Sequence, residues 1–372
     1  MRPADAIVVG GGPAGSTLAG ALHTAGLDVV VLDQAVFPRH KVCAGWITPG
    51  VVAALSLDLA EYGRSRVLQP ITRFRTGVLG GPVREAEYGR PVSYGILRCE
   101  FDAYLLRRSG AEVREGTRVA AIERADGEWI VGGETRAPLL AGAGGHFCPV
   151  ARHLGARRAQ DPVVVAQEIE VRLTAGQEKE TAVRGDTPEL YFCADLKGYG
   201  WAFRKGDRLN VGLGRLDRQE LSRHVAAFHA FLVTSRRVPA DLPARWNGHA
   251  YLLYEAQRPR LVDDGALLVG DAAGLAYAAS GEGIRPAVES ARLAAQVILA
   301  ARGRYRREDL EPYRRALAAR FGRRDRRFAP PIPAALVAAA GRRLFRSGWF
   351  AKRVVLDRWF LHADQPALPG AL

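Results

Sequence analysis

"AIVVGGGPAGSTLAGALHTAGLDVVVLDQ", residues 6–34, decides the fold. It opens on a short β-branched run, turns at glycines, carries Leu18, Ala21 and Leu22 at helical spacing, and closes on a second apolar run ending in Asp33. The pattern predicts a strand (Ala6 to Val9), a helix and a second strand (Val29 to Leu32), a βαβ unit of about 30 residues. In that context each small residue has a task. Gly10 permits the tight turn, Gly12 lets the backbone approach a pyrophosphate, and Gly15 lets the helix pack close on the strand. Pro13, Ala14 and Ser16 form the first helical turn, whose unpaired N–H groups and positive dipole end suit a pyrophosphate. Asp33, at the end of the second strand, is placed to accept from both ribose hydroxyls. A glycine-rich turn in an unrelated α/β protein is the plain alternative, but here strand, helix, strand and acid all fall in register. This fingerprint alone leaves FAD and NAD equally open.

The rest of the chain sets bounds. At 372 residues and 48% hydrophobic content it buries a large core, organised as about two domains or one elaborated domain. Its 53 Lys and Arg against 39 Asp and Glu give a formal charge of +14. Such a balance suits an anionic substrate, an acidic membrane surface, nucleic acid or an arginine-rich background, and the preponderance of Arg over Lys favours the last. No recognition motif accompanies the charge, so nucleic acid is not an expected partner. Cys43, Cys99, Cys148 and Cys193 form no CxxC pair and no metal-ligand spacing, which predicts reduced thiols in a cytoplasmic protein and no metal site. The N-terminus turns polar and glycine-rich too soon for a signal peptide, and no apolar run approaches the roughly 18 residues of a spanning helix. "APPIP", 329–333, separates the main body from a C-terminal appendage.

A second stretch, "GALLVGDAAGLAYAASGEGIRPAVESARLAAQVI" at 265–298, points to FAD, with a strand, turn and helix that hold no ligand as the plain alternative. A strand (Ala266 to Val269) delivers Gly270 and Asp271 into a turn of small residues, and Gly281 and Gly283 open a long amphipathic helix at Ile284. An acid in a glycine-lined turn is suited to hydrogen-bonding a polyol such as the ribityl chain of a flavin. The helix start at Gly283 and Ile284 would aim its N–H groups at the flavin pyrimidine oxygen, where charge gathers on reduction.

Three spaced signals, the glycine fingerprint with Asp33, "LRCEFDAYLL" at 97–106 and "GDAAG" at 270–274, make residues 5–300 resemble the FAD-dependent oxidoreductases with the fold of para-hydroxybenzoate hydroxylase. The resemblance implies an α/β protein: a Rossmann-type FAD-binding domain (1–75, 95–160 and 255–300), an interleaved antiparallel-sheet substrate domain (76–94 and 161–254), and a C-terminal helical region (301–372). It implies that Arg98 contacts the cofactor, with Val119 also in the cofactor set. An intrahelical ion pair with Asp102 is the plain alternative for Arg98, and the two roles coexist.

Finer motifs choose the branch. Hydroxylases of this fold carry an aspartate-glycine motif in mid-chain, whereas "LLAGAGGHFCPVARHLG", 139–155, has Gly144 in place of the acid. "KGYGWAFRKGDRLNVGLG", 197–214, is similar to the YxWxFPKGDxxNVGxG segment of geranylgeranyl reductases, with Arg204 standing for the family's proline. Tyr199, Trp201 and Phe203 alternate, so a strand places them on one face. As a stripe they read as core packing; the resemblance makes them cavity wall. "FPRHKVCAGWITPG", 37–50, supplies the KxCxG element of the same branch as Lys41, Cys43 and Gly45, which by resemblance runs along the isoalloxazine together with Ala44. Cys43 shapes the cavity there or takes part in proton delivery. Trp46, where relatives often have glycine, narrows the substrate end.

The expected activity is reduction of carbon–carbon double bonds of an isoprenoid or similar hydrophobic substrate by hydride from reduced FAD, with NAD(P)H or a protein as electron donor. Cys43, Tyr199 or a water supplies the proton, and Trp201 and Phe203 line the cavity. An FAD monooxygenase or halogenase acting on a hydrophobic or aromatic compound is the alternative within enzymes, and a flavin-binding electron carrier the one outside them. The basic, aromatic segment 334–363 is expected either to cap the pocket or to lie at the inner face of a membrane holding a prenyl-lipid substrate. On a single helix, Phe345, Trp349, Leu356 and Phe360 would share one face.

Overall fold

The computed structural model describes residues 4–156, 161, 163–216, 219–243, 245–254, 260–322 and 334–368. The proline break at 329–333 lies outside them. A six-stranded sheet is ordered Val262–Asp263, Ala266–Leu268, Leu139–Gly142, Ala6–Val9, Val29–Leu32 and Glu112–Arg114. Neighbours are parallel except for the edge pair Val262–Asp263 with Ala266–Leu268, and the register sets Ala6 against Leu139 on one side and Val29 on the other. Ile7, Val8 and Val31 are fully buried. Helices cover both faces of such a sheet, which is why its strands read as unbroken apolar runs.

The helix Pro13–Thr24 begins with Pro in its first turn, where the missing N–H costs nothing. It packs on the strand so closely that a Cβ on Gly15 would fall 1.8 Å from the Gly10 carbonyl oxygen, and one on Gly10 2.5 Å from the Ala143 carbonyl. Only glycine allows that approach. The long helix Ile284–Ala301 lies beside Pro13–Thr24, so both helix N-termini open at the same end of the sheet, beyond its strand C-termini. Ligands of open α/β sheets sit there.

The second sheet has seven strands: Asn247–Leu252, Val163–Arg172, Arg208–Arg215, Gly198–Lys205, Glu189–Phe192, Arg73–Val78 and Val83–Glu87. It is antiparallel except where Glu189–Phe192 runs parallel to Arg73–Val78. Alternation divides its faces. Trp201 and Phe203 enter one apolar cluster, with Tyr199 against it, while Ala202 enters another that packs beneath the helix Leu221–Thr234. A small sheet of Trp46–Ile47, Ser93–Gly95 and Gln69–Ile71 connects the two larger ones and carries the chain from Cys43 into Trp46. We propose the same discontinuous division into domains as above; strand Arg73–Val78 joins the seven-stranded sheet slightly before residue 76.

The C-terminal chain folds as helix Ala334–Leu344 and helix Phe350–Phe360. Phe345, Val355, Leu356 and Phe360 are buried against the aromatic face of the seven-stranded sheet, so this segment is a cap. The expected single apolar face is corrected at one residue. Turn bonds from Arg346 and Ser347 back to Arg343 and Leu344 end the first helix, and the second starts in a different phase, leaving Trp349 69% exposed.

Candidate active site

A cavity of about 780 Å³ lies where the parallel sheet's ligand edge meets the aromatic face of the seven-stranded sheet. One end is polar. Gly10, Gly12, Pro13, Ala14 and Asp33 form its wall. Asp33 accepts from the Gly11 N–H at 2.7 Å and the Ala35 N–H at 2.8 Å, which fixes the carboxylate at the strand end. Arg39 reaches over the helix start, with Nη2 3.2 Å from the Asp102 carboxylate. Its Nη1 is buried and has no hydrogen-bond partner among the described residues. An unpaired buried guanidinium nitrogen beside an open helix N-terminus fits a dinucleotide pyrophosphate.

Arg98 stands in the same wall and pairs bidentately with Asp102, Nε and Nη2 each donating at 2.9 Å. The intrahelical pair is thus present, and it leaves the arginine in the cavity wall. Burial works against its charge, but Asp102 and the neighbouring Cys43 sulfur hold the guanidinium protonated, above its ordinary range. Lys41 Nζ lies 2.6 Å from His249 Nε2. Burial pushes the Lys41 ammonium down to about 8, against the attraction of Asp271. Burial, with Lys41 and Arg98 adding to it, depresses His249 to about 2, so the imidazole is neutral and accepts from the lysine. Tyr199 donates its hydroxyl to the Ser280 carbonyl at 2.5 Å, and burial raises its pKa well above the usual phenol value. Burial raises Tyr251 likewise.

The opposite end is apolar and aromatic, formed by Trp46, Tyr199, Trp201 and Phe360. Phe360 meets Tyr199 edge-on at 5.2 Å and Trp46 at 6.1 Å. A Cβ at residue 212 would fall 2.1 Å from the Trp201 ring, so Gly212 of the NVGLG run makes room for that indole.

Beneath the cavity floor lies a buried polar network. The fully buried Lys205 ammonium donates to Glu170 at 2.5 Å and to the carbonyls of Ala44 and Ile96 at 3.1 Å each. Asn210 donates to the Cys43 carbonyl at 3.1 Å and to Glu170 at 3.1 Å, and accepts from the Trp201 indole at 2.6 Å. Glu168 accepts from the Cys43 N–H at 2.8 Å and stands 3.6 Å from His40. The stretch 43–45 thus has its backbone pinned from below while its other side faces the cavity.

Of the residues expected from sequence, Gly10, Gly12, Pro13, Ala14, Asp33, Lys41, Cys43, Ala44, Trp46, Arg98, Val119, Tyr199, Trp201, Asp271, Gly281, Gly283 and Ile284 all line this one cavity. Gly15, Ser16, Gly270 and Phe203 do not. Gly15 faces the strand; Ser16 turns inward to donate to the Gly11 carbonyl at 2.9 Å; Gly270 gives its N–H to Ser290 at 3.0 Å; Phe203 is fully buried behind Trp46. Sequence reasoning missed Arg39, His249, Tyr251, Glu282 and Phe360, which also line the cavity. Arg39 and Glu282 had local signals, the first two residues before Lys41 and the second between Gly281 and Gly283. Among the described residues no group of three or more His, Cys, Asp or Glu side chains is placed to hold a metal ion.

Residues 3–55 match the family model described as "FAD binding domain". The chain is 30% identical to the chloroplastic geranylgeranyl diphosphate reductase of Oryza sativa subsp. japonica, the match covering 79% of this chain and 66% of that protein, so it spans just under two thirds of that relative. It is 30% identical to the menaquinone reductase of Mycolicibacterium smegmatis, over 79% of this chain and 76% of the relative. Among solved structures, a geranylgeranyl bacteriochlorophyll reductase-like protein from Thermoplasma acidophilum superposes with a TM-score of 0.74 at 20% identity, covering 95% of this chain and 91% of the other. A halogenase mutant in complex with FAD gives 0.67 at 18% identity, over 85% and 74% of the two chains. These structural likenesses establish the fold.

The network carries a pH signature. Burial, with neighbouring Glu170 adding to it, raises the Glu168 carboxyl to about 8 despite opposing pulls from Lys205, the Cys43 N–H and Asn210. A folded-state pKa above the unfolded value of about 4.3 stabilises the fold below that value, and the contribution is lost as pH rises toward 8. Glu168→Gln does not titrate. Urea denaturation of the cofactor-free protein from pH 4.5 to 8 should show wild type losing stability relative to the variant, by at most about 1.4 kcal/mol per pH unit. Parallel curves would contradict this assignment.

Proposed function

The chain belongs to the geranylgeranyl reductase family of FAD-dependent oxidoreductases, and from that premise we propose that it reduces carbon–carbon double bonds of an isoprenoid or similarly hydrophobic substrate. One observation carries the reading: a single cavity changes from a basic, N–H-lined end to an end walled by Trp46, Tyr199, Trp201 and Phe360. The first suits a dinucleotide and the second an extended apolar chain. FAD, when bound and reduced, supplies the hydride.

The chain's own residues do the rest. Gly10, Gly12, Pro13, Ala14, Asp33 and Arg39 hold the diphosphate and ribose; Lys41, Cys43, Ala44, Arg98, Val119, Asp271, Gly281, Gly283 and Ile284 make the remainder of the cofactor's bed. The aromatic wall orients the alkene and excludes water. Proton supply favours groups that release a proton near neutrality. Tyr199 is a poor donor, since its proton is committed to the Ser280 carbonyl and its pKa is raised. Lys41, brought to about 8 beside the neutral His249, is a better store, and it stands two residues from Cys43 in the same wall. Electrons reach the cofactor from NAD(P)H or a protein donor.

Photoreduced enzyme mixed anaerobically with geraniol, farnesol, geranylgeraniol or a prenylated quinone should regain its oxidised flavin spectrum and yield the saturated product. A flavin that stays reduced with all of these, yet turns over an aromatic compound when oxygen is admitted, would overturn the proposal in favour of a monooxygenase or halogenase. Trp46 packs edge-on to Phe74 and Phe203, at 6.2 and 6.1 Å, and stands in the apolar wall. Trp46→Gly removes that obstruction. The rate ratio of geranylgeraniol to geraniol should rise at least about fivefold, the scale of about 1 kcal/mol in apolar contact; an unchanged ratio would show that Trp46 does not set the length.

Peripheral membrane contact through 334–363 belongs to the same proposal. No helix among the described residues is long and apolar enough to cross a membrane. The cap's outer side exposes Leu344 and Trp349, 48% and 69%, among the exposed Arg343, Arg346 and Arg353. Basic residues interleaved with aromatics favour anionic lipid surfaces. Flotation with phosphatidylglycerol vesicles should recover the wild type, and the pair Leu344→Ser, Trp349→Ser should lose most of that recovery while keeping its flavin. Equal recovery of both proteins would exclude this face.

A further inference from the structure

After the cap helix Phe350–Phe360 the chain continues as a strap, 361–366, that crosses to the first turns of the helix Ile284–Ala301. Its backbone is held by two arginines. Arg285, fully buried, donates to the carbonyls of Gln365 at 2.8 Å, Pro366 at 3.2 Å and His362 at 3.4 Å. Arg320 donates to the Pro366 carbonyl at 2.7 Å, and the Gln365 side chain donates back to the Arg320 carbonyl at 3.0 Å. Glu289 lies between the two guanidiniums, 2.9 Å from Arg285 and 2.6 Å from Arg320, and neutralises one of them.

On its inner side the strap grips a loop. The His362 ring lies over Tyr277 with centroids 3.8 Å apart, and its Nε2 is 3.2 Å from the Glu282 carboxylate. The Tyr277 hydroxyl donates to Gln365 at 2.7 Å. Tyr277 and Glu282 are the two ends of one short loop, closed by the Tyr277 N–H on the Glu282 carbonyl at 3.0 Å and the Gly281 N–H on the Tyr277 carbonyl at 2.7 Å. Ser280, Gly281, Glu282 and Gly283 of that loop form cavity wall, and Gly283 leads into the helix start at Ile284. From the cavity side, Tyr199 fixes the same loop through Ser280.

We propose that the strap is a positioning element for the cofactor: His362 and Gln365 hold the loop 277–283 in the shape that receives FAD, so affinity for FAD depends on the C-terminal end of the chain. The inference rests on the reading that Gly281, Gly283 and Ile284 contact the cofactor. Because Phe360, immediately before the strap, stands in the substrate wall, one segment then sets both ends of the site.

The test uses His362→Ala, Gln365→Ala and their double variant in the full chain, none of which removes the buried arginines. Affinity is read by quenching of FAD fluorescence, and the loop by amide hydrogen exchange with and without FAD. Each single change should weaken FAD binding about fivefold and the pair more than tenfold, the scale of losing one and then two side-chain contacts: the Gln365 hydrogen bond, and the His362 ring contact with its ion-pair approach to Glu282. In the FAD-free variants, amides of 277–283 should exchange faster while those of the seven-stranded sheet keep their protection, which also establishes that the variants fold. A double variant with wild-type affinity overturns the proposal, as does unchanged loop exchange. If FAD fails to slow exchange at 281–284 in the wild type, the loop is not a cofactor contact, and both the reading and the strap's role fall. If FAD slows it there but the variants bind normally, only the strap's role falls.

Discussion

The buried ammonium of Lys205 is the point on which the site's geometry rests. It sits with no solvent exposure at the end of strand Gly198–Lys205, donating to one carboxylate and two backbone carbonyls. Stripping a charge of water costs several kcal/mol, and only full hydrogen bonding offsets it. Here the offsetting groups come from three separate segments: Glu170 from strand Val163–Arg172, which lies beyond Arg208–Arg215 in the same sheet, Ala44 from the strip along the cavity, and Ile96 from just past the connecting strand Ser93–Gly95. Satisfying the lysine therefore requires all three to be in place at once. Asn210 repeats the arrangement two register positions away, tying Trp201, Glu170 and the Cys43 carbonyl to each other. A hydrophobic replacement would fill the volume, but it would leave the Ala44 and Ile96 carbonyls unpartnered and the 43–45 strip without its anchor.

From that anchor the two sheets acquire a shared cavity. The parallel sheet provides two helix starts at one edge, a geometry dictated by right-handed crossovers and by the glycines that let the helix Pro13–Thr24 close on its strand. The seven-stranded sheet provides an aromatic face by simple alternation. Neither sheet makes a closed site alone. The strip 41–46 lies between them, and the cap closes the far end with Phe360.

What could be read from the chain divides along the range of the interactions. The βαβ unit was legible because its cause is local: turn, helix and strand follow one another within a single run of sequence, and each glycine has a steric reason. The face shared by Tyr199, Trp201 and Phe203 was legible for the same reason, since a strand's period is fixed. That Phe203 stops short of the cavity was not, because it depends on Trp46 arriving from another segment to cover it. His249, Tyr251 and Phe360 lie on an edge strand and the cap, and only tertiary packing brings them to the site. Their local sequence contains no motif. Trp349 was misplaced because a turn at 345–347 resets the helical phase, which a single period carried through 334–363 does not capture. Lys205 and Asn210 were visible as letters of a family pattern, but their physical task, pinning a distant loop, appears only when the strands pair.

The same distinction resolves the chain's excess of positive charge. Three buried carboxylates each face two guanidiniums: Asp102 faces Arg98 and Arg39, Glu189 faces Arg237 and Arg75, and Glu289 faces Arg285 and Arg320. A carboxylate with two cations is left one charge short of balance, so each triad carries a net positive charge in surroundings where charge is poorly screened. The triads put this surplus to different uses. Around Glu289 the donors left over bind backbone carbonyls of the strap, converting charge into attachment. Around Asp102 the surplus points at the cavity, where Arg39 keeps a buried nitrogen unpaired beside the helix start. An uncompensated donor of this kind is costly unless an anion completes it, and a pyrophosphate would do so with charge-assisted hydrogen bonds. Within the chain's surplus of positive charge, this one arginine stands apart, because its buried Nη1 stays unpaired in the polar wall of the cavity.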